Sequence, residues 1–158
     1  MNATIRDARP VHHLEDFAVG QKYRSARLPV DAAAIKRFAS AFDPQPFHLD
    51  EEAARSTFFG GLAASGWHTA AVFMRLFVDG ILNDSASRGS PGIEELRWTA
   101  PVRPGDVLTG RVRVVETYPS ERRADRGTVI TQCELLNQDG TVVFTMRGRG
   151  HFRRHPQT

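Results

Sequence analysis

Residues 66–78 constrain the fold more than any other stretch, because their helical pattern leaves almost no polar face. Its main apolar members are Trp67, Ala70, Ala71, Val72, Phe73, Met74, Leu76, Phe77 and Val78. A helix that is apolar nearly all round is buried in a protein or in a membrane. The run is shorter than the roughly 18 apolar residues that a membrane helix needs. The sequence therefore predicts a long helix enclosed by the rest of its own domain, ending near Gly80.

Five other segments are typical of β-strands: residues 21–30, 93–100, 107–116, 128–136 and 141–152. The last two are joined by a hairpin signal at residues 137–140. Alternation places Val142, Phe144, Met146 and Phe152 on one face, and Val143 on the other. One apolar face per strand predicts a sheet packed on one side. The expected fold class is α+β, a curved antiparallel sheet wrapped around the long central helix, with a strand order that the pattern does not determine.

Length and composition correspond to one globular domain, with 158 residues of which 41% are hydrophobic and 25% charged. We expect a flexible N-terminal arm at residues 1–14, the domain at 15–154 and a frayed C-terminus at 155–158. The single cysteine, Cys133, excludes an internal disulfide and is predicted to be an inert buried thiol.

Net charge, histidine spacing and the first residues predict which partners the chain does not bind. A net charge of +3 is too small to indicate a nucleic-acid partner. His12 and His13 are adjacent and lack a spaced acidic partner, so no metal site is predicted. The first residues contain no apolar signal segment, and we expect no membrane partner and a cytoplasmic location.

The segment from Asp43 to His48 carries the clearest chemical signal. A helix is predicted over residues 31–42, with Asp31 as its N-cap, and Pro44 ends it. Pro44 and Pro46 make the segment a stiff, non-helical loop that holds Asp43 and His48 five positions apart. A carboxylate and an imidazole aimed at one point can orient and deprotonate a water molecule. The alternative from spacing alone is an Asx turn followed by a surface histidine.

This segment resembles the signature of MaoC-like dehydratases, the R-specific enoyl-CoA hydratase group of the hotdog superfamily. Asp43, Pro46, Phe47, His48 and Asp50 match that signature, whereas Phe42 and Gln45 stand where the family usually has Gly and Asn. Residues 61–70 and 96–106 are similar to the family's entry into the central helix and to a strand and turn common in hotdog proteins.

The resemblance implies a hydro-lyase acting on an acyl thioester. Asp43 and His48 would hold and deprotonate the water that adds to C3 of a trans-2-enoyl thioester, giving the R-3-hydroxyacyl product. The Gly66 backbone N–H would bind the thioester oxygen. Its place at the start of the buried helix supports this independently, although close packing also explains a glycine there. Ser65, Trp67 and His68 are candidate substrate-binding residues, each with a structural alternative.

The family also implies the partners. No cofactor is expected, because coenzyme A or phosphopantetheine arrives as part of the substrate, and the expected assembly is a homodimer or a dimer of dimers. Phe73, Met74 and Phe77 line either the core or an acyl pocket. Two other functions remain open at this point: a hotdog thioesterase and a non-catalytic protein that binds acyl thioesters.

Overall fold

The computed structural model describes residues 11–156. The strands are β1 (Lys22–Pro29), β2 (Gly92–Trp98), β3 (Val107–Pro119), β4 (Arg126–Leu136) and β5 (Val142–Arg153). The helices are α1 (Ala32–Phe42), α2 (Pro46–Leu49), α3 (Glu51–Arg55) and α4 (Gly66–Gly80). Single 3-10 turns occur at Leu14–Asp16 and Leu82–Asp84.

The five strands form one antiparallel sheet in the order β1-β3-β4-β5-β2. The hairpin between β4 and β5 turns at Gly140, whose φ of 78° is the left-handed conformation that glycine adopts without strain. The first and last strands of the order are edges, and β2 is the edge that follows α4 in the chain. This order is the part of the architecture that the alternation of residues leaves open.

The core lies between α4 and one face of the sheet. Val72, Phe73 and Leu76 of α4 are buried, and the Phe73 ring lies 5.4 Å from that of Phe144 on β5. The sheet contributes the apolar residues of alternating positions, among them Leu108, Val112, Val114, Val129, Cys133, Leu135 and Met146. The predicted α+β hotdog fold, an antiparallel sheet around a long central helix, is confirmed.

Burial also explains why the Cys133 thiol is unreactive. The Cys133 side chain is fully enclosed, and this burial raises the pKa of its thiol to about 11. The thiol therefore stays protonated at neutral pH, as predicted for an inert core residue.

Three local expectations differ from the structure. The α4 helix is not enclosed on all sides, because Trp67 and Met74 are 59% and 44% exposed. The helix ends at Gly80 as predicted, with Ile81 rather than Gly80 as its C-cap. The sheet covers one side of a helix, so apolar residues on its other side stay exposed in a single chain. Val143, predicted to face away from the core, is buried because a register shift in the β4–β5 pairing makes it the extra residue of a bulge.

The third difference concerns the proline-rich loop. Residues 46–49 form a single helical turn, α2, where a fully irregular loop was expected. Pro46 occupies the first helical position, which tolerates proline because the N–H there has no intrahelical acceptor. His48 therefore sits on a helical turn.

The ends of the described chain contact the domain. The His12 backbone N–H donates to Asp84 O at 2.8 Å, Leu14 is buried, and the His155 N–H donates to Glu15 Oε2 at 3.0 Å. Residues 1–10 of the predicted arm and 157–158 of the predicted frayed end lie outside the described residues, so the domain boundaries stay predictions. No helix within residues 11–156 has the length and apolarity to cross a membrane.

Candidate active site

Asp43 and His48 are positioned by the break between α1 and α2. Asp43 is the C-cap of α1, and its backbone N–H donates to Ala39 O at 2.9 Å. The next residue is Pro44, which prevents the helix from continuing. The α2 turn then brings His48, which is only 4% exposed, back towards the end of α1.

The two side chains face one another. His48 Nε2 lies 3.4 Å from Asp43 Oδ2, and the other ring nitrogen, Nδ1, lies 2.6 Å from Ala63 O. A carbonyl oxygen only accepts, so Nδ1 carries a hydrogen and donates to Ala63. In the neutral ring Nε2 is then an unprotonated acceptor that faces a carboxylate oxygen. Two facing acceptors need a shared donor, which is either a proton on Nε2 or a water molecule beside both groups.

Two hydrogen bonds hold the Asp43 carboxylate. Ser65 Oγ donates to Oδ2 at 2.7 Å, and Gln45 Nε2 donates to Oδ1 at 2.6 Å. Partial burial by itself would raise the pKa of Asp43, but these two bonds and the nearby His48 outweigh it and lower the pKa below its ordinary value. Asp43 is therefore ionised at neutral pH and acts as an acceptor.

Of the two residues that depart from the family signature, Gln45 contacts the Asp43 carboxylate and Phe42 lies at the surface. The amide of Gln45, which replaces the usual Asn, donates to the Asp43 carboxylate. Phe42, which replaces the usual Gly, is 75% exposed and packs against Phe38, with ring centroids 5.1 Å apart. Neither side chain displaces Asp43 from His48.

Ser65 connects this pair to the start of α4. It is the N-cap of the helix and is fully buried, and its Oγ accepts from the Trp67 N–H at 3.3 Å while donating to Asp43. Gly66 is the first helical residue, where the backbone N–H has no intrahelical acceptor and the helix dipole is positive. The Asp43–His48 pair thus lies beside a helix start that favours an oxyanion.

Gly66 also permits a close contact with Trp98. The Trp98 Nε1–H donates to Gly66 O at 2.6 Å, and a Cβ on Gly66 would lie 2.5 Å from Trp98 Cε2. Close packing is therefore present at Gly66 and does not conflict with a role for its N–H. Trp98, at the end of β2, is a site residue that the sequence reasoning missed.

The other two candidate residues, Trp67 and His68, do not contact the Asp43–His48 pair by hydrogen bonds among the described residues. Trp67 is exposed and packs edge-on against Trp98, with ring centroids 5.1 Å apart. His68 stacks on Phe38 at 4.9 Å, and its Nδ1 has no hydrogen-bond partner within residues 11–156. Burial, followed by the charge of Arg37, lowers the pKa of His68, so its ring is neutral at neutral pH. Neither side chain makes a hydrogen bond to Asp43 or His48 in the described part of the chain.

Arg103 supports the site from the turn before β3, and the sequence reasoning did not single it out. Its Nη1 donates to Gly61 O at 2.9 Å and to Leu62 O at 3.4 Å, and its Nη2 donates to Phe59 O. One guanidinium therefore holds three carbonyl oxygens of the segment that leads into Ala63. The sequence signal was an arginine in a turn that also resembles the family.

A mainly apolar cavity of about 260 Å³ lies further along α4, between the helix and the sheet. Met74 and Phe77 form its helix side, whereas Phe73 is a core residue. At a rise of about 1.5 Å per residue, Met74 is about 12 Å along the helix from Gly66. The other lining residues include Leu82, Ile93, Val129, Met146 and Phe152.

Comparisons with known proteins identify the same protein family by sequence and by structure. A family model described as a MaoC like domain matches residues 15–136. The crystal structure of a MaoC-like dehydratase from Rhodospirillum rubrum is 51% identical, with a TM-score of 0.85 over 92% of this chain and 99% of that one.

Two curated relatives are named for reactions. The (R)-specific enoyl-CoA hydratase of Rhodospirillum rubrum is 27% identical over 146 residues, 89% of this chain and 95% of the relative. The 3-hydroxybutyryl-CoA dehydratase of Methylorubrum extorquens is 31% identical over 115 residues, 72% of this chain and 71% of the relative.

Proposed function

The chain belongs to the MaoC-like dehydratase family, and on that premise we propose that it reversibly hydrates a trans-2-enoyl thioester to the R-3-hydroxyacyl thioester. The observation that carries the proposal is the contact between His48 Nε2 and Asp43 Oδ2 beside the start of α4. Relatives named as a hydratase and a dehydratase support the same reaction in its two directions.

In the proposed mechanism, one water molecule donates to Asp43 and to His48 Nε2. The hydrogen bond from Nδ1 to Ala63 keeps Nε2 free to accept a proton. As the water oxygen bonds to C3, Nε2 takes one of its protons and the C2–C3 electron pair moves towards the thioester carbonyl. The proton on Nε2 then passes to C2, so that OH and H are both added and His48 is regenerated.

The Gly66 N–H is proposed to bind the negative charge that develops on the thioester oxygen. The N–H lies in the first turn of α4, where it has no intrahelical acceptor. A single donor of this kind contributes about 3 kcal/mol to transition-state stabilisation where it has been measured. The ionised Asp43 complements it by orienting the water and stabilising the imidazolium that forms on His48.

We propose that the acyl chain binds in the cavity beside Met74 and Phe77. This cavity is mainly apolar, and it is lined by residues of α4, the helix that begins at Gly66. Coenzyme A or phosphopantetheine would arrive with the substrate, and the proposal needs no separate cofactor. Rates with enoyl-CoA substrates of increasing length measure the reach of this cavity.

We include a homodimer and a cytoplasmic location in the proposal. The edge strand β2 is largely exposed along its length, and Ile93 and Trp98 on it are large apolar residues open to solvent. Such an edge favours pairing with a second copy. Light scattering on purified protein tests the dimer, and cell fractionation tests the location.

The test of the reaction is incubation with crotonyl-CoA. Hydration lowers the enone absorbance without releasing free thiol, and the variants Asp43→Asn and His48→Gln each reduce kcat/KM by about 100-fold or more. Asp139→Asn and His12→Gln are matched controls at exposed positions and retain the wild-type rate.

Other outcomes refute the hydratase proposal in different ways. Release of free thiol identifies a thioesterase. Binding of crotonyl-CoA without turnover, unchanged in Asp43→Asn, identifies a non-catalytic binding protein. Near wild-type rates in both active-site variants exclude the proposed roles of Asp43 and His48.

A further inference from the structure

Three side chains from the two ends of the described chain form a cluster of metal-ligand type: His13, Asp16 and His155. His155 Nε2 lies 3.1 Å from Asp16 Oδ2, and the rings of His13 and His155 are 4.2 Å apart at their centroids. One ligand atom from each of the three residues lies within 4.8 Å of the other two. None of these residues belongs to the proposed catalytic site.

One ring nitrogen in this cluster is unexplained by the protein alone. His13 Nδ1 is enclosed by other atoms and has no hydrogen-bond partner within residues 11–156. Buried polar atoms in folded proteins are nearly always satisfied by protein, water or an ion. The His13 ring therefore needs a partner that the described side chains do not provide.

The backbone holds the cluster in place. The His13 N–H donates to Asp16 Oδ2 at 2.8 Å across the 3-10 turn, and the His155 N–H donates to Glu15 Oε2 at 3.0 Å. Arg154 pairs with the other oxygen of Glu15 at 2.9 Å, so its charge is already neutralised.

We propose that His13, Asp16 and His155 bind a Zn²⁺ ion, with water completing the coordination. Two imidazole nitrogens and one carboxylate oxygen are a donor set that Zn²⁺ accepts readily. Ligand atoms in a tetrahedral site with bonds of about 2.1 Å lie about 3.4 Å apart. The distance of 3.1 Å between Asp16 Oδ2 and His155 Nε2 is close to this value, and the His13 ligand atom lies within 4.8 Å of a ligand atom of each.

The ion would join the turn that precedes β1 to the chain that follows β5. Because unfolding separates His13 from His155, Zn²⁺ binds the folded chain preferentially and stabilises it. Sequence spacing gave no sign of this site, since the second histidine comes from the opposite end of the chain.

The test is zinc binding by the untagged full chain, stripped with a chelator and titrated with ZnCl₂ in a calorimeter. We expect one Zn²⁺ per chain, with affinity reduced at least tenfold in each of His13→Ala, Asp16→Asn and His155→Gln. His12→Ala is the matched control, because the neighbouring His12 ring lies near Phe17 and outside the cluster. Zinc raises the Tm of the wild type and this control, and raises the Tm of the three variants by less at the same zinc concentration.

Circular dichroism of the metal-free variants checks that each is folded. If His13→Ala does not fold, Asp16→Asn and His155→Gln decide the question, since both carry side chains that are partly exposed. Absence of saturable binding overturns the proposal. Wild-type affinity in either of those two variants, or equal loss in His12→Ala, also overturns it. Neither result depends on the proposed hydratase activity.

Discussion

Replacing Ser65 with alanine tests the link between the helix start and the catalytic pair. The hydroxyl makes two bonds at once: it donates to Asp43 Oδ2 at 2.7 Å and accepts from the Trp67 N–H at 3.3 Å. Loss of an N-cap costs about 1 kcal/mol. Loss of a hydrogen bond to a charged group costs about 1.5–3 kcal/mol.

The free energy of unfolding should therefore fall by about 2–3 kcal/mol in Ser65→Ala. We take the lower end of the range for the bond to Asp43, because that carboxylate is partly exposed and keeps its second bond from Gln45. Urea unfolding at neutral pH measures the change. Ser40→Ala is the matched control, since Ser40 is exposed and its hydroxyl bonds only to the Lys36 carbonyl of its own helix.

The same variant should change catalysis in a specific way. With one donor lost, the Asp43 carboxylate is held less firmly and its pKa rises, which an NMR titration of its carboxyl carbon measures. We expect kcat/KM at neutral pH to fall about tenfold, equivalent to 1.4 kcal/mol. A loss of stability no larger than in Ser40→Ala, or an Asp43 pKa that is the same in Ser65→Ala as in the wild type, would refute the reasoning.

Three further predictions concern the surroundings of this link. Gly66→Ala should lower the free energy of unfolding by about 1–3 kcal/mol, because the added Cβ would lie 2.5 Å from the Trp98 ring. Urea unfolding measures this loss, and the double variant with Trp98→Ala should recover part of it. Arg103→Gln should lower kcat/KM about tenfold and alter its pH profile, because it releases the carbonyl oxygens of residues 59, 61 and 62. Arg103→Lys should not restore the rate, because an ammonium group cannot reproduce the forked contacts of a guanidinium. The folded pKa of Asp43 lies below its ordinary 3.8, so its stabilising contribution is present above that value and is lost as the pH falls through the folded pKa. The difference in unfolding free energy between wild type and Asp43→Asn should therefore shrink in acid, and a difference that is constant with pH contradicts this reading.

Much of the fold could be predicted from the chain because its determinants are local. The period of two, the N-cap at Asp31 and the turn at Gly140 each involve residues a few positions apart, and the structure has the corresponding strands, helix and hairpin. The five-residue spacing from Asp43 to His48 and the glycine at the start of α4 are also local. These features were sufficient to indicate the family and to select candidate catalytic residues.

The tertiary structure decided which distant groups complete the site. Ala63 O determines the tautomer of His48, Ser65 anchors Asp43, and Trp98 packs on Gly66. These pairs are separated by 15, 22 and 32 positions in the chain. The strand order and the meeting of His13 with His155 have the same origin. Periodicity and capping report interactions within a few residues, whereas these contacts exist only once the sheet has packed against α4 and brought remote segments together.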